Sequence, residues 1–508
     1  MNLIASTSTF SFFTLISRIL GYVRDILIAI FLGTSFFADV FFVAFRLPNT
    51  FRRLFAEGTF NAAFIPSYAG ALAKNKIEAD NFAKNVFNLL FIILLFFVLV
   101  AEIFMPQLVF LIAPGFYKDP EKLRLAVDLS RITFPFLFFV CLASFFAAIL
   151  NSYNKFAVAA AAPIILNVIL IGSLFFSQWL DISDVLTLSY AVSFAGFLQL
   201  LILLFFVRKN FKPILTLKIK IDEKIKFFFR KLFPSIFSSG VTQINILVGT
   251  IIASFQAGAV SYLYYADRVY QINLAVAGIA VGTVMLPELS KHIKNNNSEQ
   301  ITNLQNRALE LCLFLSIPAG TALVIASEEI VTSLFGYGSF DYKSVNNTAI
   351  ALTFFAFGVP AFSILKIFSN FFFARNNTKL PFYLSVISVI LNILISVLFF
   401  GKLGFVIIPI ATSISSWINV ILHFYFIKKQ NLHDFDRTFI YKFPRIIFST
   451  IVMGIILYFT LGFFSDKFNY NESWKIVYLF IIVSVNLLIY FFVSNFSGAF
   501  KLKDIKLR

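Results

Sequence analysis

Cysteine, histidine and acidic residues are all scarce in this sequence of 508 residues. Its 2 cysteines and 3 histidines are scattered along the chain, which excludes a disulfide framework and leaves no zinc-ligand spacing. Asp and Glu total 25 against 42 Lys and Arg, and the acidic residues of the predicted loops stand alone or in adjacent pairs. A membrane-embedded glycosyltransferase or phosphatase needs a cluster of catalytic acidic or histidine residues. The sequence therefore disfavours an enzyme, and it predicts no catalytic residue, no metal site and no cofactor.

Long stretches of the sequence lack charge altogether. Residues 86–101, 132–154 and 477–500 contain no charged side chain, and each approaches the roughly 20 apolar residues that a membrane helix needs. Hydrophobic residues make up 59% of the chain, above the roughly 45–50% of soluble domains. The strands of a membrane β-barrel are about 10 residues long and alternate between polar and apolar, a pattern that these runs do not show. The sequence predicts an all-α, polytopic membrane protein.

Hydrophobicity predicts about fourteen transmembrane helices. Charged residues interrupt the second and the eighth of these segments. In chain order the predicted segments are residues 9–32, 36–66, 84–108, 129–151, 157–179, 186–207, 231–255, 260–288, 308–327, 347–373, 381–400, 405–427, 444–464 and 475–496.

Basic residues are unevenly distributed between the two sets of predicted loops. The even-numbered loops and the C-terminal tail carry most of them, with eight between Arg208 and Arg230, whereas the odd-numbered loops carry only six. Basic loops are retained in the cytoplasm, so we expect a multi-pass membrane protein with both termini cytoplasmic. The net charge of +17 is then explained by these loops and by anionic lipid surfaces, and not by nucleic-acid binding.

Two short motifs recur at nearly the same distance along the chain. The run Ile165–Leu170 is similar to Ile390–Ile395, an offset of 225 residues, and Ala38-Asp39 recurs as Ala266-Asp267, an offset of 228. Such an offset spans six helices, and because six is even both copies have the same orientation in the membrane. The sequence thus predicts two six-helix lobes around a central cavity, followed by two additional helices. The expected divisions are an N-terminal lobe at 1–210, a basic cytoplasmic interfacial linker at 211–230, a C-terminal lobe at 231–430, the two additional helices at 440–497, and a basic cytoplasmic tail at 498–508.

Several ionisable residues lie inside predicted membrane helices, where each costs about 2.5–3.5 kcal/mol. A planar guanidinium donates paired hydrogen bonds to phosphate oxygens, so a cavity with several arginines suits a multiply anionic head group such as a pyrophosphate. Arg46 and Arg53 are expected only to tie helices together. The residues expected to bind substrate are Arg18, Arg24, Arg52 and Arg268. The expected counter-ions and supporting residues are Asp25, Asp39, Glu57 and Asp267.

Several of these charged residues belong to longer motifs that resemble the MurJ/MviN family. The first-half motifs are specific, because charged and apolar residues match in the same order, and the resemblance covers essentially the whole chain. The matching runs are SRILGYVRD at 17–25, ADVFFVAFRLPN at 38–49, RRLFAEG at 52–58, AFIP at 63–66, APGF at 113–116, TFP at 133–135, ILN at 149–151, YYADR at 264–268 and GTVMLP at 282–287.

This resemblance implies a member of the multidrug/oligosaccharidyl-lipid/polysaccharide exporter superfamily. It implies a lipid II flippase, which moves the undecaprenyl-pyrophosphate-linked peptidoglycan precursor from the cytoplasmic to the periplasmic leaflet by alternating access, for cell-wall synthesis and cell shape. The last two helices would form a groove for the lipid tail, and the family's cavity arginines fall on Arg18, Arg24, Arg52 and Arg268. Lipid II and membrane lipids are the expected partners. Cell-wall synthesis proteins are the expected protein partners, and a monomer is expected.

Two departures and two alternatives accompany the resemblance. The family usually carries Pro-x-Gly in the eighth segment, where this chain reads Asn273-Leu274-Ala275, which places the bend of that segment in question. Segments ten to twelve contain no Asp or Glu, so a sodium site in them is not expected. The alternatives are a flippase for another polyprenyl-linked oligosaccharide and a drug or cation antiporter of the same superfamily. An antiporter predicts a carboxylate-dominated cavity, whereas the residues found here are mainly cationic.

Overall fold

The structure, a computed structural model, describes residues 3–55, 59–216 and 223–500. Every regular element within these ranges is helical, and none of them is a strand. The chain divides into two compact units, Met1–Val260 and Ser261–Arg508. The prediction of an all-α protein is thereby confirmed for the part of the chain that the structure describes.

The first unit contains ten α-helices in its described ranges. A 3₁₀ turn at Pro114–Lys118 joins the fifth to the sixth. The helices are α1 (Leu3–Leu32), α2 (Phe36–Phe55), α3 (Thr59–Lys74), α4 (Lys76–Ile103), α5 (Met105–Ile112), α6 (Pro120–Thr133), α7 (Pro135–Ser152), α8 (Phe156–Leu180), α9 (Asp184–Val207) and α10 (Glu223–Ala253).

The second unit contains ten further α-helices in its described ranges. A π-helical segment at Ala275–Ala280 joins the first of them to the second, close to the position where the family's Pro-x-Gly is missing. The helices are α11 (Ala259–Leu274), α12 (Val281–Lys294), α13 (Ser298–Ile325), α14 (Ser327–Phe335), α15 (Tyr342–Ala356), α16 (Val359–Phe373), α17 (Lys379–Leu403), α18 (Ile407–Lys429), α19 (Arg437–Phe463) and α20 (Lys475–Ser497).

Within the described residues, all fourteen predicted segments fall on helices, and prolines explain why several of the segments are divided. Pro106, Pro135 and Pro360 lie in the first turns of α5, α7 and α16, because a residue without an amide donor interrupts the preceding helix and is tolerated at the start of the next. By length and composition, nine stretches of the described residues are able to cross a membrane, or ten if the bent pair α15 and α16 forms one span. The number of fourteen crossings stays a prediction.

One of these nine stretches, Lys379–Lys429, is a helical hairpin. The Ser388 hydroxyl donates to the carbonyl oxygen of Ser415 at 3.0 Å, and the Asn392 amide donates to Thr412 Oγ1 at 3.2 Å. As the residue number increases along α17, the number of the bonded partner on α18 decreases, so α17 and α18 are antiparallel. A short turn therefore joins two separate apolar helices, as the sequence predicts for segments eleven and twelve.

An aromatic cluster attaches α10 to the first unit. Phe60 and Phe64 stack one helical turn apart on α3, and Phe228 of α10 meets Phe60 edge-on with ring centroids 5.6 Å apart. The helix begins at Glu223, before the predicted start at residue 231, because Ile225 and Phe228 are buried while Lys226 between them is exposed. The lobe boundaries at 1–210 and 231–430 stay a prediction.

Charged residues attach the start of α19 to α13. Arg307 Nη2 lies 2.8 Å from Asp436 Oδ2, and Lys442 Nζ lies 3.3 Å from Glu310 Oε2. Glu310 is buried and also contacts Arg307. A buried carboxylate is tolerated only with such partners, because burial removes its hydration. The network therefore fixes the position at which α19 begins.

A buried lysine attaches the start of α20. Lys475 is fully buried, and its ammonium donates to the carbonyl oxygens of Gly336 and Tyr470, both at 2.6 Å. The same ammonium lies 4.0 Å from the ring centroid of Tyr337, a distance at which the ring quadrupole attracts a cation. Both helices of the final pair are thus attached to the second unit at their first residues.

Burial makes the loop between α18 and α19 sensitive to acid. His433 is buried against Phe371 and Phe435, and its Nδ1 lies 3.2 Å from Gln305 Oε1. Burial and, to a smaller extent, the positive charge of Lys428 lower the pKa of His433 to about 4. A histidine of the unfolded chain titrates near 6.5, so the unfolded state binds the proton first as the pH falls. We expect the thermal unfolding temperature of the purified protein to decrease between about pH 6.5 and about pH 4.

The variant His433→Phe isolates this effect. It keeps an aromatic ring against Phe371 and Phe435 but has no proton to gain, while its loss of the Gln305 contact lowers stability equally at every pH. The decrease with acid should therefore be smaller in the variant than in the unchanged protein. The same decrease in both proteins would show that His433 is not the group responsible.

Candidate functional site

Arg24, in the middle of α1, is held in a buried ion pair. Its Nη2 lies 2.7 Å from Asp25 Oδ1, and its Nη1 donates to Asn167 Oδ1 of α8 at 2.9 Å. The Asn167 amide in turn donates to the carbonyl oxygen of Ser17 at 2.9 Å. Arg24 and Asp25 are only 8% and 2% exposed. Two helices therefore fix the orientation of one candidate arginine, and Asp25 is placed as its counter-ion.

Asp39, at the start of α2, is fully buried and joins three parts of the first unit. Its Oδ2 lies 2.8 Å from Lys122 Nζ of α6, and it accepts a hydrogen bond of 2.8 Å from the backbone amide of Gly258, in the turn after α10. The Lys122 ammonium also lies 4.4 Å from the ring centroid of Phe116. The sequence prediction named Asp39 and treated Lys122 as an ordinary loop residue, since only the fold brings the two together.

Two further contacts attach α10 to its neighbours in the first unit. Arg46 of α2 donates to Thr250 Oγ1 at 2.7 Å, which is the helix-tying role that the sequence predicts for it. The backbone amide of Gly115 donates to Ser254 Oγ at 2.9 Å, and a Cβ at Gly115 would lie 2.3 Å from the Ser254 carbonyl group. Glycine is therefore required where the 3₁₀ turn meets the end of α10.

The other candidate arginines of the first unit are more open than Arg24. Arg18 is exposed on α1, and Arg52 near the end of α2 is half-buried. The Arg52 Nε donates to Asn49 Oδ1 at 3.0 Å, a contact within one turn of the same helix. Glu57, predicted as a supporting residue, lies outside the residues that the structure describes.

In the second unit, the candidate pair Asp267 and Arg268 lies on α11. The guanidinium carbon of Arg268 lies 4.6 Å from the ring centroid of Tyr264, one turn earlier on the same helix, and the ring holds the guanidinium by a cation–π contact. Asp267 accepts a hydrogen bond from Gln271, one turn later. Both charged residues are partly exposed.

Lys366 of α16 is a candidate that the sequence prediction missed. It is exposed, and it has no carboxylate at ion-pair distance among the described residues. A Cβ at Gly278 would lie 3.4 Å from its Cγ, so the lysine packs over the π-helical segment that continues from α11. Charged residues in membrane helices almost always face the protein interior or a water-filled cavity. The signal available in the sequence was the lysine itself, because the predicted segment 347–373 otherwise lacks charge.

The predicted sequence repeat does not extend to the Arg24–Asp25 pair. An offset of 225 residues places Gly249 and Thr250 where the first half has Arg24 and Asp25. Asn392, which the same offset aligns with Asn167, donates to Thr412 Oγ1 of α18 and accepts from the Ser396 hydroxyl. At that offset, the buried Arg24–Asp25 pair of the first unit has no charged counterpart.

A family model described as lipid II flippase MurJ matches residues 28–479 of this chain. The chain belongs to the MurJ family. A protein of Rhizobium tropici named probable lipid II flippase MurJ is 38% identical over 90% of this chain and 87% of its own length. A MurJ relative from Rickettsia prowazekii with the same name is 36% identical over 94% of this chain and 100% of its own length. The resemblance drawn from the sequence motifs is confirmed.

Solved structures agree with the MurJ assignment. A structure described as lipid II flippase MurJ in an inward closed conformation superposes with a TM-score of 0.82, at 29% identity, over 96% of this chain and 98% of the other. An inward-facing multidrug transporter of the MATE family and the MOP superfamily gives a TM-score of 0.69 at 15% identity, over 82% and 94% of the two chains. The second likeness shows a shared fold alone. This member of the MurJ family is thus a polytopic helical membrane protein of this transporter fold.

Proposed function

We propose that this protein flips lipid II, the undecaprenyl-pyrophosphate-linked peptidoglycan precursor, from the cytoplasmic to the periplasmic leaflet of the inner membrane. The observation that carries the proposal is the match to relatives named as probable lipid II flippases over nearly the whole length of both chains. Flipping makes and breaks no covalent bond. The function therefore needs groups that bind a charged head group and release it, and it needs no catalytic residue.

The pyrophosphate is proposed to bind to the exposed cationic side chains. Arg18, Arg52 and Arg268 offer guanidinium groups that suit phosphate oxygens, and each is at least partly exposed. Lys366 adds an ammonium on the π-helical side of the second unit. A charge-assisted hydrogen bond contributes about 1.5–3 kcal/mol, so several such groups together provide affinity for a dianionic or trianionic head group.

Arg24 is proposed to bind the head group from a fixed position. Its orientation is set before substrate arrives, because Asp25 and Asn167 hold three of its nitrogen atoms. A pre-oriented group loses less conformational entropy when the ligand binds. Asp25 also keeps the buried guanidinium compensated while the site is empty, which explains why an acidic residue lies within a cationic site.

Alternating access is proposed to break and reform the polar contacts around α10. Asp39 with Lys122 and Gly258, and Arg46 with Thr250, hold this helix and the turn after it against α2 and α6. Contacts of this type have two discrete arrangements, made or broken, which suits a switch between two conformations. We infer that they stabilise one access state and must be released to reach the other.

The remaining predictions become part of the same proposal. The lobes are assigned to 1–210 and 231–430, joined by the basic linker, and the helices at 440–497 are assigned to the lipid tail. Both termini are placed in the cytoplasm. The protein is proposed to work as a monomer without a cofactor, beside proteins of cell-wall synthesis.

Depletion and rescue test the proposal directly. In a bacterial host depleted of its own lipid II flippase, the intact chain should restore lipid II on the periplasmic face, measured by its accessibility to an external enzyme or label. Loss of one phosphate-binding side chain costs about 1.5–3 kcal/mol, so Arg18→Ala, Arg52→Ala, Arg268→Ala and Lys366→Ala should each lower the flipping rate roughly 10- to 100-fold at equal membrane levels.

Lys291→Ala provides the matched control, since Lys291 is an exposed lysine near the end of α12. This variant should flip lipid II as fast as the intact chain. An intact chain that reaches the membrane at normal levels and moves no lipid II would contradict the proposal and favour another polyprenyl-linked oligosaccharide. If the intact chain and the arginine variants all flip lipid II at the same rate, the flippase function stands and the assignment of the binding residues is wrong.

A further inference from the structure

One face of α19 carries an arginine–tyrosine–arginine series that is not among the side chains proposed to bind the pyrophosphate. Arg437, Tyr441 and Arg445 follow at intervals of four residues, which places them on the same side of the helix. Together with Ile440 and Pro444 they line a shallow groove of about 480 Å³. The groove lies at the basic end of α19, next to the loop that the sequence places in the cytoplasm.

The Arg445 guanidinium is held in place without an acidic partner. Its central carbon lies 3.4 Å from the ring centroid of Tyr441. On its other side is Gly498, whose φ is +75° and where a Cβ would lie 2.6 Å from Arg445 Nη1. Neither Arg437 nor Arg445 has an ion-pair partner within residues 3–55, 59–216 and 223–500. By contrast, Lys442 on another face of the helix is paired with Glu310.

An apolar stripe continues from this groove along α19. Its members are each more than half exposed, whereas the opposite face of the helix is buried against the second unit through residues such as Met453 and Leu457. Intervals of three and four residues keep the stripe on the side of Arg445. The stripe consists of Phe448, Ile451, Ile455 and Phe459.

The geometry points to a binding site for an anionic glycerophospholipid of the bilayer, and we propose that its phosphate binds to Arg437 and Arg445. The acyl chain would lie on the stripe that runs from Phe448 to Phe459. Charge complementarity selects an anion, and guanidinium groups suit phosphate oxygens in particular. The continuous apolar stripe selects an amphiphile over a soluble anion, since basic pockets at the cytoplasmic side of membrane helices bind lipid head groups. Arg437 and Arg445 are separate from the side chains proposed to bind the pyrophosphate of lipid II, whereas the stripe lies on one of the two helices assigned to its lipid tail.

Binding of phosphatidylglycerol to the purified full-length protein tests the proposal. Native mass spectrometry or fluorescence titration in detergent would give the affinity for dioleoylphosphatidylglycerol and, as a neutral reference, dioleoylphosphatidylcholine. We expect Arg437→Gln with Arg445→Gln to weaken phosphatidylglycerol binding at least tenfold and to leave phosphatidylcholine unchanged. Tyr441→Leu, which removes the ring beneath Arg445, should weaken it roughly threefold, and Tyr441→Phe should not. If the double variant does not fold, Arg437→Gln alone replaces it, because Arg437 is exposed and its substitution should not affect folding. This single variant should also weaken phosphatidylglycerol binding.

Two controls separate this site from other sources of binding. Lys291→Gln with Lys294→Gln removes two exposed basic residues of α12 and should bind phosphatidylglycerol within twofold of the unchanged protein. Arg18→Ala should also bind it normally, because Arg18 belongs to the substrate site. Equal loss in the α12 variant would show nonspecific attraction to positive charge, and loss in Arg18→Ala would place the lipid in the substrate site. Either result, or full binding by the α19 variants, would overturn the proposal.

Discussion

Replacement of Asp39 by alanine is expected to lower the free energy of unfolding by about 3–5 kcal/mol. Asp39 is fully buried, and its carboxylate compensates the buried Lys122 ammonium at 2.8 Å while accepting from the Gly258 amide at 2.8 Å. Removal of one partner leaves the other charge without compensation in a medium of low dielectric constant. The measurement is unfolding of the purified protein by titration with a denaturing detergent.

A double-mutant cycle identifies the source of that loss. Lys122→Met removes the ammonium and keeps an unbranched side chain, so Asp39→Ala with Lys122→Met should be more stable than Asp39→Ala alone, because no buried charge remains unpaired. Asp119→Ala is a suitable control, since Asp119 caps α6, the helix that carries Lys122, but does not belong to the Asp39–Lys122 pair. Its effect on stability should not depend on Lys122→Met. An exposed ion pair contributes about 1 kcal/mol or less. If the free energy of unfolding of Asp39→Ala lies within about 1 kcal/mol of that of the unchanged protein, the buried ion pair is refuted.

Replacement of Arg24 by alanine is expected to abolish flipping for two separable reasons. The variant removes a proposed phosphate-binding group, and it also leaves the buried Asp25 carboxylate without its 2.7 Å partner. The second effect alone should cost about 3–5 kcal/mol of stability. Loss of activity in Arg24→Ala by itself therefore does not show that Arg24 binds substrate.

Arg24→Ala combined with Asp25→Asn separates binding from stability. The amide is neutral, so the double variant has no uncompensated charge and should regain most of the unfolding free energy. It should still fail to restore periplasmic lipid II in the depleted host, because the guanidinium is absent. Asp25→Asn alone reports the cost of the lost carboxylate. Flipping by the double variant at the rate of the intact chain would limit Arg24 to a structural role.

The helices were predictable from the sequence because membrane helices must be apolar and must satisfy their own backbone hydrogen bonds. All fourteen predicted segments therefore fall on helices wherever the structure describes their residues. The divisions within segments were harder, since a proline such as Pro135 only locally changes a continuous apolar run. The start of α10 at Glu223 was missed for a related reason. Its first turns alternate charged and buried residues, and hydrophobicity averaged over a window does not show the buried ones.

The candidate site was only partly predictable. The cost of an intramembrane charge singled out Arg24 and Asp39, whatever their partners. The partners Asn167 and Lys122 lie 143 and 83 residues away, and no sequence spacing connects them. Lys366 carried the same signal as the arginines and was overlooked in a segment that otherwise lacks charge. The repeat suggested equivalent halves, whereas the Arg24–Asp25 pair has no counterpart at Gly249 and Thr250.

The sequence by itself determined the class of protein, the helices, the family and the cationic character of the site, because hydrophobicity, charge and ordered motifs are properties of residue order. The tertiary structure decided which charges are buried in pairs, as in Arg24 with Asp25 and Asn167, and which stay open, as in Arg18 and Lys366. It also decided that Arg437 and Arg445 of α19, which have no ion-pair partner among the described residues, share one groove. Pairing and burial depend on which helix faces pack together, and that is settled by contacts between residues far apart in the chain.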